Sequence, residues 1–359
     1  MRLFGRKDGE DGTGGHGTGG PGAGVPVFWA WWQEARPRVE AVVAAGDANG
    51  LAELLDPAVS ALHPGLVWEL APGKEAAHAL VVTAAGDAEL RPLAHRWARA
   101  APQGDLLWEF HPSRQADPRA SERTFDMDGR TVELDKLTLG LRVPRDGSRV
   151  DVSAYHPIFG ELDEDIRMEA TLLALDWLLG EDDVARWVGE ITPVTFEPID
   201  AVAAAHLPAV VADLASDLAP GPGEEQWALL EGQTVSGAPL HASARHPLRP
   251  VDHPLLDRHI EITLPYRHRD EGGLPAVGSL TSLQSFEDRL TAGLLDRRET
   301  ALLAVRLSAE GLRIFHLYAD RDGDAHTWAG ELVKEWNEGK ARVQVSDDPA
   351  WTAVAPFLT

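Results

Sequence analysis

Residues 301–318 read ALLAVRLSAEGLRIFHLY. Two apolar runs flank Ala309, Glu310 and Gly311, and a glycine there supplies the positive φ of a tight hairpin turn. The stretch therefore predicts paired strands over 301–307 and 312–318. Before it, Leu283, Phe286, Leu290 and Leu294 recur at helical spacing, and a strand precedes them over 259–266. After it, Trp328, Leu332 and Trp336 mark a second helix and residues 342–345 a last strand. The order is β-α-β-β-α-β, the ferredoxin-like pattern.

Working outward, Ala219-Pro220-Gly221-Pro222-Gly223 sustains neither helix nor strand and predicts a linker over 219–224. It divides a chain of 359 residues into a C-terminal domain, 225–359, and an N-terminal domain, 25–218. Residues 1–24 are rich in glycine and bury too little apolar area to offset chain entropy, so a disordered tail is expected. The N-terminal domain begins with a helix to about Ala45 and a second carrying Leu51, Leu55 and Val59. Strands follow near 66–70, 79–83 and 106–111, with shorter ones near Thr131, Leu139 and Val150. An apolar helix over 163–179, capped by Gly180, completes the pattern. The expected architecture is α+β in two domains, the first with helices packed on a mixed or antiparallel sheet.

The formal charge is −24, from 57 acidic and 33 basic residues. Such a surface repels phosphate backbones and anionic lipids, so neither nucleic acid nor membrane is an expected partner. A basic protein would be attracted and its approach accelerated. Cysteine is absent, which excludes disulfides, thiolate nucleophiles and Cys-ligated zinc. No apolar run is long enough to span a bilayer, and the basic start has no apolar stretch behind it. A cytoplasmic protein is expected.

The C-terminal domain resembles a bacterial family known as domain of unknown function 695. The likeness lies in Gly273-Leu274-Pro275, Phe286-Glu287-Asp288 with Leu290, Gly311 to Phe315 with Tyr318, and Asp348-Pro349-Ala350-Trp351 before Phe357 and Leu358. Members are often similar to, or joined with, the ferredoxin-like regulator of ribonuclease activity B, which inhibits an RNA-processing enzyme by binding it. The resemblance implies regulatory binding and brings no catalytic residues. The N-terminal domain resembles a second uncharacterised bacterial module through Phe28-Trp29-Ala30-Trp31 and Leu175 to Glu181.

No P-loop, nucleophile elbow or His-Glu-x-x-His zinc motif is present, and no cofactor is expected. Four weaker constellations remain. Glu69 and Glu109 each follow a tryptophan on a predicted strand, and His111 shares a face with Glu109. On neighbouring strands these three could bind a divalent metal or perform acid–base work; the plainer reading is a half-solvated sheet. Asp320, Asp322, Asp324 and Glu331 have EF-hand spacing, but Ala325 stands where the loop needs glycine. That places Asp322 in a turn and makes Asp324 a helix cap. His241, His246, His253, His259 and His268 fall in a proline-rich stretch that reads as an extended loop with solvated rings. Phe28, Trp29, Trp31 and Trp32 either anchor the first helix on the sheet or form an exposed partner patch.

The function expected from these observations is a non-catalytic binding or regulatory factor with an acidic surface and a protein partner, a basic one being favoured by charge. The alternatives are a metal-assisted hydrolase using Glu69, Glu109 and His111, and a self-associating scaffold.

Overall fold

The structure, a computed structural model, describes residues 3–4, 24–144, 147–219 and 226–358. Most of the glycine-rich tail and of the 219–224 linker lies outside them. The chain forms two compact units, Met1–Leu218 and Ala219–Thr359. No helix among the described residues is long and apolar enough to cross a membrane.

In the N-terminal unit, β1 (Leu3–Phe4) precedes α1 (Gly24–Ala45), α2 (Ala48–Ser60), β2 (Val67–Pro72), β3 (His78–Thr83), α3 (Arg91–Arg99) and β4 (Trp108–His111). The hairpin β5 (Thr124–Met127) and β6 (Arg130–Glu133) leads to β7 (Thr138–Arg142), β8 (Val150–Tyr155), α4 (Glu164–Leu179) and α5 (Glu181–Trp187). β9 (Val188–Val194), β10 (Val202–Ala203) and α6 (Leu207–Asp217) complete the unit. The single expected sheet is in fact two four-stranded sheets, ordered β1-β2-β3-β4 and β10-β7-β8-β9. Both are mixed, because β3–β4 and β8–β9 run parallel. The pattern reading misses β9 because Pro193 interrupts it. The proline is tolerated because β9 is an edge strand.

Aromatic stacking explains how α1 is held. Trp29 stacks on Trp97 of α3 with ring centres 4.9 Å apart and donates its indole N–H to the Trp97 carbonyl at 2.9 Å. Trp32 meets Trp108 of β4 edge to face at 5.0 Å. Phe28, Trp29 and Trp32 are buried and Trp31 is half-buried against the same core. The cluster is therefore no exposed partner patch: it anchors the helix. Gly46, at φ +68°, ends α1, and Asp47 caps α2 by accepting from the Gly50 N–H at 3.0 Å.

The C-terminal unit contains β11 (Trp227–Gln233), β12 (Pro239–Arg245), β13 (Arg258–Pro265), α7 (Val277–Leu295), β14 (Ala301–Ala309), β15 (Leu312–Ala319), α8 (Ala325–Leu332) and β16 (Arg342–Asp347). Its strands make one six-stranded antiparallel sheet, ordered β11-β12-β14-β15-β13-β16. The β14–β15 turn places Glu310 and Gly311 at φ +52° and +81°, the pair of positive values a two-residue hairpin loop demands. Alternation then sorts side chains between faces. Ile260, Ile262, Phe315 and Leu317 pack with Leu283, Phe286 and Leu290 of α7 and Ala325 and Ala329 of α8. Leu302, Ala304 and Tyr318 face the other way and pack with Trp351 and Val354 of the C-terminal segment. Trp336 lies beyond the end of α8, yet it is buried in the α7–α8 core and donates to the Pro265 carbonyl at 2.8 Å.

Gly293 lies on α7 against Trp328, where an added Cβ would penetrate the indole. Gly293→Ala is expected to destabilise this unit by roughly 1–3 kcal/mol through overpacking. That cost outweighs the gain in helix propensity of about 1 kcal/mol. Urea unfolding checks it; equal or greater stability would show that Trp328 can move aside freely.

Candidate functional site

The helices of the C-terminal unit pack on the central strands of its sheet and do not extend over its β11 edge. β11 and β12 lie beyond α7, and a groove of about 920 Å³ opens between their helix-side face and that helix. Register identifies its floor. Leu229, Ser243 and Arg306 form one cross-strand row, and Glu231, His241, Ser308 and Arg313 form the next. Leu280 and Gln284 of α7 and the Leu274-Pro275 loop form the opposite wall.

The inner end of the groove is held by an ion-pair network. Glu287 of α7 accepts from Arg306 Nη1 and from Arg313 Nη1, each at 2.7 Å. Burial is the largest influence on Arg313 and lowers its pKa, while Glu287 opposes the shift. The guanidinium remains charged, and the bridged carboxylate keeps the floor rigid. Arg306 also lies 5.7 Å from the Trp227 ring centre, a cation–π contact that ties β14 to β11.

The outer lip is different. Leu229 is 80% exposed and Leu230 40%. Glu231 is exposed beside exposed His241. β11 is the last strand of its sheet, so its outer row of backbone donors and acceptors has no strand partner among the described residues. This arrangement can take an extended chain by adding a strand.

Elsewhere the sequence-derived candidates are dispersed. β3 lies between β2 and β4, so Glu69 and Glu109 are not on neighbouring strands; Val81 separates Glu69 from His111. Glu109 does meet His111, at 3.0 Å. Its carboxylate also accepts from the backbone N–H groups of Lys74, Glu75 and Ala76 at 2.8–3.1 Å, shaping the β2–β3 loop. Burial opposes ionisation of Glu109, but the His111 contact and these three donors outweigh it and hold the pKa at about 2. Glu69 is also not on a solvated face: it is 1% exposed and accepts from Arg114 Nε at 2.8 Å.

Arg114 belongs to a buried ionic cluster absent from the pattern reading. Besides Glu69 it donates from Nη1 to Asp176 of α4 at 2.5 Å. Glu181 accepts from the Thr83 hydroxyl and from Gly86 N–H at 3.0 Å. Gly180, at φ +86°, lets the end of α4 press on this segment; a Cβ there would lie 3.2 Å from the Arg114 carbonyl and the Ala116 nitrogen. The cluster joins strands β2 and β3 to helices α4 and α5, which is a structural role.

In the EF-hand-like stretch, Asp320 is buried and accepts from Asp322 N–H at 3.2 Å. Asp324 makes no side-chain cap bond; its two oxygens hold Arg297 at 2.8 and 2.7 Å, which corrects the capping expectation. Glu331 pairs with Lys334 at 2.6 Å. The histidine stretch is not one solvated loop. His241 lies on β12, and His253 stacks over Trp351. His259 is buried on β13, its Nε2 3.0 Å from His316 Nδ1. Among the described residues no group of three or more His, Asp or Glu side chains is placed to hold a metal ion.

Fold and groove together define an α+β protein with an open-edged groove in its C-terminal unit. Residues 248–359 match the Family of unknown function (DUF695), a segment that contains Glu287, Arg306 and Arg313 but not β11 or β12. No curated protein and no solved structure matches the chain. Nothing identifies the N-terminal unit. Several residues behind the family likeness have structural work: Asp348 accepts from the Tyr318 hydroxyl at 2.6 Å and from Thr352 and Ala353 N–H at 2.7 and 3.0 Å.

Proposed function

We propose that this protein is a non-catalytic binding or regulatory factor that acts through protein–protein contact, with the β11 groove as its docking surface. The groove carries the reading: an accessible apolar lip and a rigid polar floor lie beside a seven-residue open sheet edge. The ferredoxin-like assignment belongs to the same reading. It is supported by the chain order β13-α7-β14-β15-α8-β16 and the sheet order β14-β15-β13-β16, with β11 and β12 added at one edge. A net charge of −24 favours fast association with a basic partner.

The test uses the tagged full-length chain as bait in lysate from its own cells at low salt. A near-stoichiometric protein partner is expected, released as salt rises because exposed charges are screened. Leu229→Arg, at a solvent-exposed position that folding does not need, should reduce capture at least tenfold. A bait that returns clean, or a partner retained equally by the variant, would overturn the proposal.

A further inference from the structure

We infer that β11 receives an extended, basic segment of the partner by strand addition, with an apolar residue beside Leu229 and a Lys or Arg two positions along beside Glu231. The inference rests on the binding reading above and names the chemistry of the occupant.

The two ends of the sheet are handled differently. A free edge invites pairing, and proteins blunt such edges with charges, proline or short strands. β16, at one end, carries Arg342 and Asp347 within its six residues. β11, at the other, reads WALLEGQ, with no proline, no lysine and a single charge. Its length is ample for a stable ladder, and it displays Leu229 and Leu230 where a soluble edge would display charge.

Register sets the specificity. Leu229 and Glu231 both face the groove, because they pair with Ser243 and His241 on the same face as Arg306 and Arg313. A strand added outside β11 places alternate side chains directly opposite these two. An apolar residue there covers Leu229, and a cation neutralises Glu231, which has no ion-pair partner among the described residues. Opposite-charge cross-strand pairs of this kind are favourable, and like charges are not. The long-range field agrees, since a chain of net charge −24 draws in basic segments and repels acidic ones.

The experiment selects random octapeptides displayed on phage against the immobilised full-length chain, then repeats the selection against Glu231→Lys. Enrichment of β-branched and aromatic sequences with an apolar residue two positions from Lys or Arg is expected. The variant should reverse the preference at that position to Asp or Glu. The best wild-type peptide, made synthetically, should bind the variant at least tenfold more weakly and slow amide exchange in residues 227–233. Enrichment of helical or acidic sequences, a preference unchanged by Glu231→Lys, or protection elsewhere would overturn the inference. So would a doubled mass in light scattering with β11 protected in the unliganded protein, because the occupant would then be a second copy. A partner captured from lysate through Leu229 but indifferent to Glu231 would leave the binding reading standing and remove only this one. An empty lysate capture would remove the reading itself.

Discussion

Arg114→Met is expected to lower the stability of the N-terminal unit by about 3–5 kcal/mol, the cost of removing one partner from a buried ion pair. Arg114 faces Glu69 and Asp176 at 2.8 and 2.5 Å, and methionine fills the space without supplying charge. Burial is the largest influence on Asp176 and raises its carboxyl to about 7; Arg114 pulls it down, and Glu181 and Glu69 push it up. The folded value lies above the ordinary 3.8, so the folded state holds this proton more tightly. Its contribution to stability is full below about pH 4 and is lost as pH rises through 7. Asp176→Asn removes the titration. Relative to that variant, the wild type should lose roughly 3–4 kcal/mol between pH 4 and pH 8. Urea unfolding of both chains at several pH values checks this, and a pH-independent difference would mean that Asp176 is ionised throughout.

The C-terminal unit carries the opposite dependence. His316 and His259 are buried in contact, and burial followed by the charge of His259 lowers His316 to about 4. The folded value lies below the ordinary 6.5, so this contribution is present above pH 6.5 and lost as pH falls toward 4. His316→Asn keeps a hydrogen-bonding group on the strand and removes the titration. Between pH 7.5 and pH 4.5 the wild type should lose roughly 2–3 kcal/mol relative to the variant. Nuclear magnetic resonance titration of the imidazole carbons gives an independent reading: a His316 midpoint near 6.5 would refute a neutral buried pair.

Legibility differed between the two units for a physical reason. The C-terminal elements alternate short apolar strands with two well-marked helices, and its central hairpin is set by two residues, Glu310 and Gly311. In the N-terminal unit, Trp68-Glu69-Leu70 and Trp108-Glu109-Phe110 look alike. Yet one glutamate is buried against Arg114 and the other organises a loop. Local pattern does not show which strand comes between them, because β3 enters by parallel pairing with β4 across α3. The groove was half visible. Phe286-Glu287-Asp288 drew attention through resemblance, but Arg306 and Arg313 meet Glu287 only after β14 and β15 pair.

The sequence by itself determined the α+β class, the end of the first helix near Ala45, the stop at Gly180, and the hairpin over Glu310 and Gly311. It also set the acidic charge and the exclusion of cysteine chemistry. These follow from residue type and local spacing, which act over a few residues. Only the tertiary structure decided that Phe28, Trp29 and Trp32 are core, that Glu69 is buried with Arg114 and Asp176, and that β11 is an open edge. Burial and charge pairing are set by what the rest of the chain brings alongside, and that is not written in any local stretch.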